Sequence, residues 1–207
     1  DISVAIKGVT RADEDKLGEV IPKLHEEDPT FSAAFNAELH QTIARGTGEM
    51  HLEIQFERMA RKYGVKVETE QPRIAYRETL SRTVEGQGRH KKQSGGRGQF
   101  GDCWIRLSPK PTGAGYEFVD SIKGGAIPGK YLPSVDRGIQ EAAERGVIAG
   151  FPLVDFAAEC YDGSYHAVDS SDIAFKMAGA AAFRSVSEKC GPQLLEPIMA
   201  VAVTTPD

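Results

Sequence analysis

The chain has few of the features that mark disulfide-bonded or membrane-spanning proteins. Its 207 residues include three cysteines, which lie far apart and form no C-x-x-C pair. Dispersed cysteines in odd number argue against a disulfide framework or a zinc site and favour a reducing compartment. No apolar run approaches the length of a membrane span, and the N-terminus lacks the basic head and apolar core of a signal peptide. These absences predict a cytoplasmic protein with no membrane partner.

An excess of positive charge is also lacking, but the cations that are present are concentrated. Lys and Arg total 25 against 30 for Asp and Glu, which gives a net charge of -5 and excludes a bulk polycation. Residues 81–100 nevertheless hold one carboxylate, Glu85, and a set of cations: Arg82, Arg89, Lys91, Lys92 and Arg97. Nucleic-acid binding, if the chain has it, must therefore come from a local patch.

Residues 1–80 follow the element order βαββαβ. "ISVAIK" alternates as a strand, residues 12–27 form a helical stripe that Pro22 should kink or loosen, and the Asp28-Pro29 step ends that helix. "TFSAAFN" and "HQTIARG" read as a hairpin, residues 49–63 as a helix stopped by Gly64, and "VKVETEQ" as the last strand. This order predicts a ferredoxin-like sandwich.

Residues 81–195 read as a second α+β domain. A strand-like run over residues 72–86 links the two domains, and residues 100–107 and 116–122 are predicted strands. Residues 131–145 and 171–189 are predicted helices, with the buried strand "PLVDFAAECY" between them. Residues 196–207 alternate as a strand with no partner after it, so we expect the natural protein to continue and this chain to be a fragment.

The glycines from Gly96 to Gly101 match G-x-G-x-x-G, the spacing of dinucleotide-binding loops. Such a loop must open a helix, whereas "DCWIRLSP" behind it alternates as a strand. No G-x-x-x-x-G-K-[ST] sequence is present either. Two interpretations remain open for "HKKQSGGRGQFGD": a flexible hairpin loop, or a basic loop that lies against an RNA phosphate backbone.

The segment "YDGSYHAVDSSDIAF" holds the residue types of a hydrolase triad, Ser164, His166 and Asp169. It lacks G-x-S-x-G, and close sequence neighbours seldom reach triad geometry, so we reject that interpretation. The chain should leave a strand at Tyr161 and enter a helix at Ser170 or Ser171, so that residues 162–169 protrude. His166 is then either simply exposed to solvent or inserted into a partner.

One further pair, His51 with Glu53, fails as a metal site. Two residues apart on a helix, the side chains point about 200° apart and do not converge. An exposed or helix-capping position is the better interpretation for His51.

Several motifs together resemble one family, the translational GTPase elongation factor G. "EEDPTF", "GTGEMHLEI" and "AYRETL" are similar to its third domain, and "LEPIM" to the start of its fifth. "HKKQSGGRGQFGD", "GVIAGFPLVD" and "YDGSYHAVDSSDIAFKMA" are similar to its fourth. The resemblance implies a ferredoxin-like third domain over 1–80, a fourth domain over 81–195 like the second domain of ribosomal protein S5, and the first strand of the fifth domain over 196–207.

The resemblance also implies a function and its residues. The family's fourth domain reaches the decoding region of the small ribosomal subunit, so the implied partners are the ribosome, small-subunit rRNA, tRNA and mRNA, besides the other domains of the parent chain. The implied RNA-binding residues lie in two loops: Lys91, Lys92, Gln93, Gly95, Gly96, Arg97, Gly98 and Gln99 in the first, and Asp162, Gly163, Ser164, Tyr165, His166 and Asp169 in the second. None of them is expected to be catalytic or to bind a metal.

No cofactor is expected in this fragment, because GTP and Mg²⁺ would belong to the GTPase domain of the parent. The fragment is therefore predicted not to be an enzyme, whereas the parent would couple GTP hydrolysis to translocation. Alternative interpretations are a paralogue in ribosome recycling, a ribosomal protection protein and a stand-alone RNA-binding module.

Overall fold

The computed structural model describes residues 2–93, 98–198 and 200. The chain divides into two compact units, Asp1–Ala75 and Tyr76–Asp207. Each unit combines helices with β-sheet, so the predicted two-domain α+β class is confirmed. Within the described residues, no helix has the length and apolar character needed to cross a bilayer.

The first unit has the predicted βαββαβ order. Its elements are β1 (Ile2–Gly8), α1 (Arg11–Glu27), β2 (Ser32–Asn36), β3 (Gln41–Gly46), α2 (Glu49–Tyr63) and β4 (Val67–Glu70). The strands form one antiparallel sheet in the order β2-β3-β1-β4. Leu24, Phe31 and Met59 are fully buried between the helices and this sheet.

Local signals set the helix ends in the first unit. Thr10 and Asp13 form a capping box at the start of α1. The helix continues through Pro22 to Glu27, and Asp28 adopts an extended conformation before Pro29, as the sequence predicted. Gly64 ends α2 in the left-handed region, with a φ of 67°.

The described residues of the second unit form six strands and two α-helices, besides two short 3-10 helices. The strands and α-helices are β5 (Arg77–Thr79), β6 (Val84–Lys92), β7 (Gln99–Pro109), β8 (Glu117–Asp120), α3 (Leu132–Ala143), β9 (Phe156–Ser164), α4 (Asp172–Ser187) and β10 (Gln193–Leu195). The main sheet has the order β6-β7-β9-β8, with β8 and β9 parallel and the other pairs antiparallel. The strand-like run over 72–86 is not one strand, because the chain turns between β5 and β6.

β5 lies in the second unit, although the sequence analysis placed residues up to 80 in the first domain. It pairs with β10, and Glu78 within it is fully buried. The Glu78 carboxylate accepts hydrogen bonds from the backbone N–H groups of Val147, Ile148, Ala149 and Phe151. Burial by itself raises the pKa of Glu78, but these hydrogen bonds outweigh it and leave the pKa below its ordinary value. The strand expected over 196–207 falls mostly outside the described residues.

Glycines allow the main sheet of the second unit to approach α4 closely. A Cβ on Gly88 would lie 2.1 Å from the backbone nitrogen of Ala182, and one on Gly101 would lie 2.5 Å from the carbonyl oxygen of Ala174. One face of the sheet therefore packs against the helices through Cys103, Ile105 and Leu107, which are fully buried. The opposite face, called the open face below, carries Glu85, Gln87, Arg89, Lys91, Phe100, Asp102, Trp104 and Arg106 by strand alternation.

Candidate nucleic-acid interface

The hairpin of β6 and β7 supplies the first loop of the candidate site. β6 pairs with β7 along its whole length, from Val84 opposite Leu107 to Lys92 opposite Gln99. The residues after Gly98 form a strand and not a helix, which agrees with the rejection of a dinucleotide-binding loop. Lys91 and Lys92 are exposed at the end of β6. Three predicted site residues, Gly95, Gly96 and Arg97, lie outside the described residues.

The connection between β9 and α4 supplies the second loop, which is shorter than predicted. The sequence placed the end of the strand at Tyr161, but β9 continues to Ser164, so Asp162, Gly163 and Ser164 belong to the strand. β7 provides the cause, because Asp102 pairs with Ser164 and Trp104 with Asp162 across the two strands. Residues 165–170, called the histidine loop below, connect β9 to α4, and residues 165–168 within this loop are exposed.

The start of α4 fixes the far end of the histidine loop. Ser171 is the N-cap, and its hydroxyl accepts a hydrogen bond from the Ala174 N–H at 3.3 Å. Ser170 is buried, and its hydroxyl donates to the Phe100 carbonyl oxygen at 2.9 Å and accepts from the His166 N–H at 2.9 Å. The loop is thereby attached both to its own helix and to β7.

The structure brings the two loops together. The Phe100 N–H donates to the Asp169 carbonyl oxygen at 2.9 Å, and the Gly98 N–H donates to the Asp169 side chain at 3.1 Å. Between the loops lies a cleft of about 260 Å³, the tip cleft. It is lined by Lys91, Lys92, Gln93, Gly98, Gln99, Phe100, His166 and Asp169.

His166 has one ring nitrogen held by the protein and an exposed ring. Its Nδ1 accepts hydrogen bonds from the backbone N–H groups of Asp169, at 3.2 Å, and of Val168, at 3.4 Å. A neutral imidazole that accepts at Nδ1 carries its proton on Nε2, which makes Nε2 a donor for a partner. The side chain is 57% exposed, and its ring centroid lies 6.4 Å from that of Phe100. Tyr165 beside it is half exposed.

Some predicted site residues are engaged within the protein. Asp169 Oδ2 lies 3.4 Å from His166 Nδ1, and Oδ1 accepts from Gly98, so this carboxylate faces both loops. The side-chain oxygen of Gln99 contacts His90 Nε2 at 2.9 Å, which leaves the Gln99 amide nitrogen as its remaining donor group. Ser164 donates to Asp102 Oδ2 at 2.7 Å.

Sequence reasoning missed Asp102, and it counted Arg89 only among the clustered cations without a position in the site. Asp102 is 7% exposed and accepts from Gln87 Nε2 as well as from Ser164, so it ties β6, β7 and β9 together beside the tip cleft. Arg89 extends over the Phe100 ring at 5.4 Å from its centroid. The alternation of β6 and β7 in the sequence was the available signal, because it places these side chains on one face.

The histidine that was rejected as a metal ligand links the start of α2 to Asp28, the residue that follows α1. Thr47 N–H donates to His51 Nδ1 at 3.1 Å at the start of α2, and His51 Nε2 lies 2.9 Å from Asp28 Oδ2. Hydrogen bonds from the Thr30 hydroxyl and from His51 lower the pKa of Asp28 to about 2. No side-chain hydrogen bond caps α2 at Gly48, and the His51 side chain is only 17% exposed, so neither the helix-capping nor the exposed interpretation describes His51.

Comparison with known proteins identifies both units. Residues 2–71 match the model of elongation factor G, domain III, and residues 72–191 match that of elongation factor G, domain IV. The chain belongs to the elongation factor G family. The crystal structure of a protein from Thermus thermophilus is similar to this chain, with 46% sequence identity and a TM-score of 0.83. The match covers 94% of this chain and 29% of the Thermus chain.

Proposed function

We propose that this chain is the ribosome-binding part of a translational GTPase that promotes translocation of tRNA and mRNA. The second unit would insert the two loops that line the tip cleft into the decoding region, where they would contact rRNA and tRNA. The proposal is carried by the direct hydrogen bonds between the hairpin of β6 and β7, called the basic hairpin below, and the histidine loop. They occur in a chain of the elongation factor G family.

The side chains of the tip cleft suit an RNA partner. Lys91 and Lys92 are exposed cations that can neutralise phosphates, and the basic hairpin projects them from a chain of net charge -5. His166 offers an exposed ring for stacking and a donor at Nε2. Neither loop needs to make or break a covalent bond, so the tip would act by occupying space and by attracting phosphates.

The glycine-rich loop before β7 does not suit the phosphates of GTP. Its G-x-G-x-x-G sequence leads into β7, which is a strand and offers no helix N-terminus to a phosphate. The nucleotide and its Mg²⁺ would therefore bind to a domain of the parent outside this chain, and the parent would work in the cytoplasm.

Replacing the tip histidine in the full-length parent tests the proposal. We expect His166→Ala to slow single-round translocation on the ribosome while ribosome-stimulated GTP hydrolysis stays near the parental rate, since His166 would act only at the tip. Met177→Ala, which removes an exposed side chain from α4, serves as the matched control and should change neither rate. Equal losses of translocation and hydrolysis in His166→Ala would contradict the assigned function.

Salt dependence tests the cations separately. Each phosphate contact contributes about 0.7 to 0.9 to the slope of log affinity against log salt. The double variant Lys91→Gln with Lys92→Gln should lower that slope for ribosome binding by about 1.4 to 1.8 if both lysines contact phosphates. A slope equal to that of the parent would mean that Lys91 and Lys92 contact no phosphate and that the basic hairpin is simply exposed to solvent.

A further inference from the structure

The open face of the second unit continues from the tip cleft along β6 and β7. Cys103 and Ile105 are fully buried against the helices, so the side chain between them, Trp104, projects from the opposite side and is 36% exposed. On β6, a Cβ at Gly86 or Gly88 would collide with α4, which places the intervening Gln87 on the open face. Phe100, at the edge of the tip cleft, and Trp104 therefore belong to the same surface.

Aromatic rings and cations alternate along this surface. Strand register places Lys91 opposite Phe100 and Gln87 opposite Trp104. Arg89 lies between these two residue pairs and extends over the Phe100 ring. Phe100 and Trp104 are four residues apart on one strand, which corresponds to about 13 Å. Trp104 is exposed and Phe100 is half-buried beneath Arg89. Accessible rings beside cations on a sheet are the arrangement that proteins use to stack the bases of single-stranded nucleic acid.

The carboxylates on the open face limit where a polyanion can lie. Asp102 is buried and already accepts two side-chain hydrogen bonds, so it presents little negative charge to solvent. Beyond Trp104, Arg106 forms ion pairs with Glu85 at 2.7 Å and Glu159 at 2.5 Å and has no free charge to offer. Asp162, which is exposed, lies opposite Trp104 on β9 and brings a carboxylate beside that ring. The cationic part of the face therefore runs from the tip cleft to Arg89, and Trp104 lies just beyond it.

We propose that single-stranded RNA bound in the tip cleft continues along the open face, with bases stacked on Phe100 and Trp104 and its backbone beside Lys91 and Arg89. This inference rests on the proposed RNA-binding function and extends it beyond the two loops. Stacking tolerates any base, so the surface selects unpaired RNA over duplex without reading its sequence.

Trp104 is the single tryptophan of the chain, which makes it an intrinsic probe. The 207-residue chain is titrated with a dye-labelled single-stranded oligouridine at low salt, and dye anisotropy and tryptophan fluorescence are recorded together. We expect tryptophan quenching with the same midpoint as the anisotropy change. An RNA duplex of equal length should leave the tryptophan signal unchanged, since its bases cannot stack on the ring.

Four variants measured by anisotropy complete the test. Trp104→Phe keeps an aromatic ring and should bind oligouridine within about twofold of the parent, whereas Trp104→Ala should bind about fivefold or more weakly. Arg89→Gln, which leaves Trp104 intact, should lower the salt slope by about 0.7. Phe35→Ala removes an exposed aromatic side chain from the first unit and should bind like the parent. Thermal melts of each variant verify that it is folded.

The outcomes separate this inference from the function on which it rests. Oligouridine binding without tryptophan quenching, together with equal affinities for Trp104→Ala and the parent, would overturn the open-face path and leave the tip cleft as the RNA site. No change in anisotropy at any protein concentration would count against both proposals.

Discussion

Glu78 provides a sharp test of how the second unit is held together. Its side chain is fully buried, and its two carboxylate oxygens each accept two backbone hydrogen bonds from the segment Val147–Phe151. Glu78→Gln preserves the size of the side chain but replaces one oxygen with an NH₂ group. That group would face two backbone N–H donors, so two charge-assisted hydrogen bonds are lost and like donors are brought together.

The loss can be estimated from these contacts. A hydrogen bond to a charged group contributes about 1.5 to 3 kcal/mol, so losing two of them should lower the free energy of unfolding by about 3 to 6 kcal/mol.

Urea unfolding followed by Trp104 fluorescence measures this loss in the second unit, because the single tryptophan lies there. Glu117→Gln is the matched control, since Glu117 is exposed and pairs only with Lys110 at 2.8 Å among the described residues. It should leave the urea midpoint unchanged. A decrease of less than about 1 kcal/mol in Glu78→Gln would refute the reasoning, because the carboxylate would then contribute no more than a neutral acceptor.

The pH dependence of the same urea-unfolding transition provides a second test of the role of Glu78. The pKa of Glu78 is lower in the folded protein than its ordinary value of 4.5. Its stabilising contribution is therefore fully present above pH 4.5 and is lost as pH falls through the folded pKa. The difference in unfolding free energy between the parent and Glu78→Gln should accordingly shrink as the pH is lowered below 4.5. A difference that stays constant down to about pH 3 would contradict the assignment of the charge to Glu78.

The remaining predictions concern packing, a carboxylate and a thiol. Gly88→Ala should destabilise the second unit by several kcal/mol in urea unfolding, because its Cβ would overlap α4, whereas Gly18→Ala, with open space around it in α1, should stabilise the first unit by about 1 kcal/mol. The pKa of Asp28, measured by NMR, should be about 2 and should rise toward 3.8 in Thr30→Val. Burial raises the pKa of Cys160 to about 12, so this thiol should react with a disulfide reagent at about pH 8 only after unfolding.

Elements with strong local signals could be predicted from the sequence. Gly64 and the Asp28-Pro29 step marked helix ends correctly because each acts through its own backbone conformation. The end of β9 was wrong for the opposite reason. Asp162 and Gly163 read as turn formers, but pairing with β7, about sixty residues earlier, holds them in the strand.

Within the candidate site, both loops were predicted but their contact was not. The hydrogen bond from Phe100 N–H to the Asp169 carbonyl oxygen joins residues far apart in the chain and has no local sequence signal. The same holds for Glu78, whose four donors follow it by about seventy residues. Direct RNA contact by Asp169 stays a prediction, and the internal bonds of its carboxylate favour a part in joining the loops.

The junction of the histidine loop with α4 has a mechanical consequence. The loop enters the helix at Ser171 with no intervening linker, and α4 extends over 16 residues, about 24 Å. A force on the loop would therefore act along the axis of α4. At Gly88 and Gly101 the sheet lies in direct contact with the backbone of this helix. A displacement of the histidine loop would thus be transmitted along α4 to the other end of the helix.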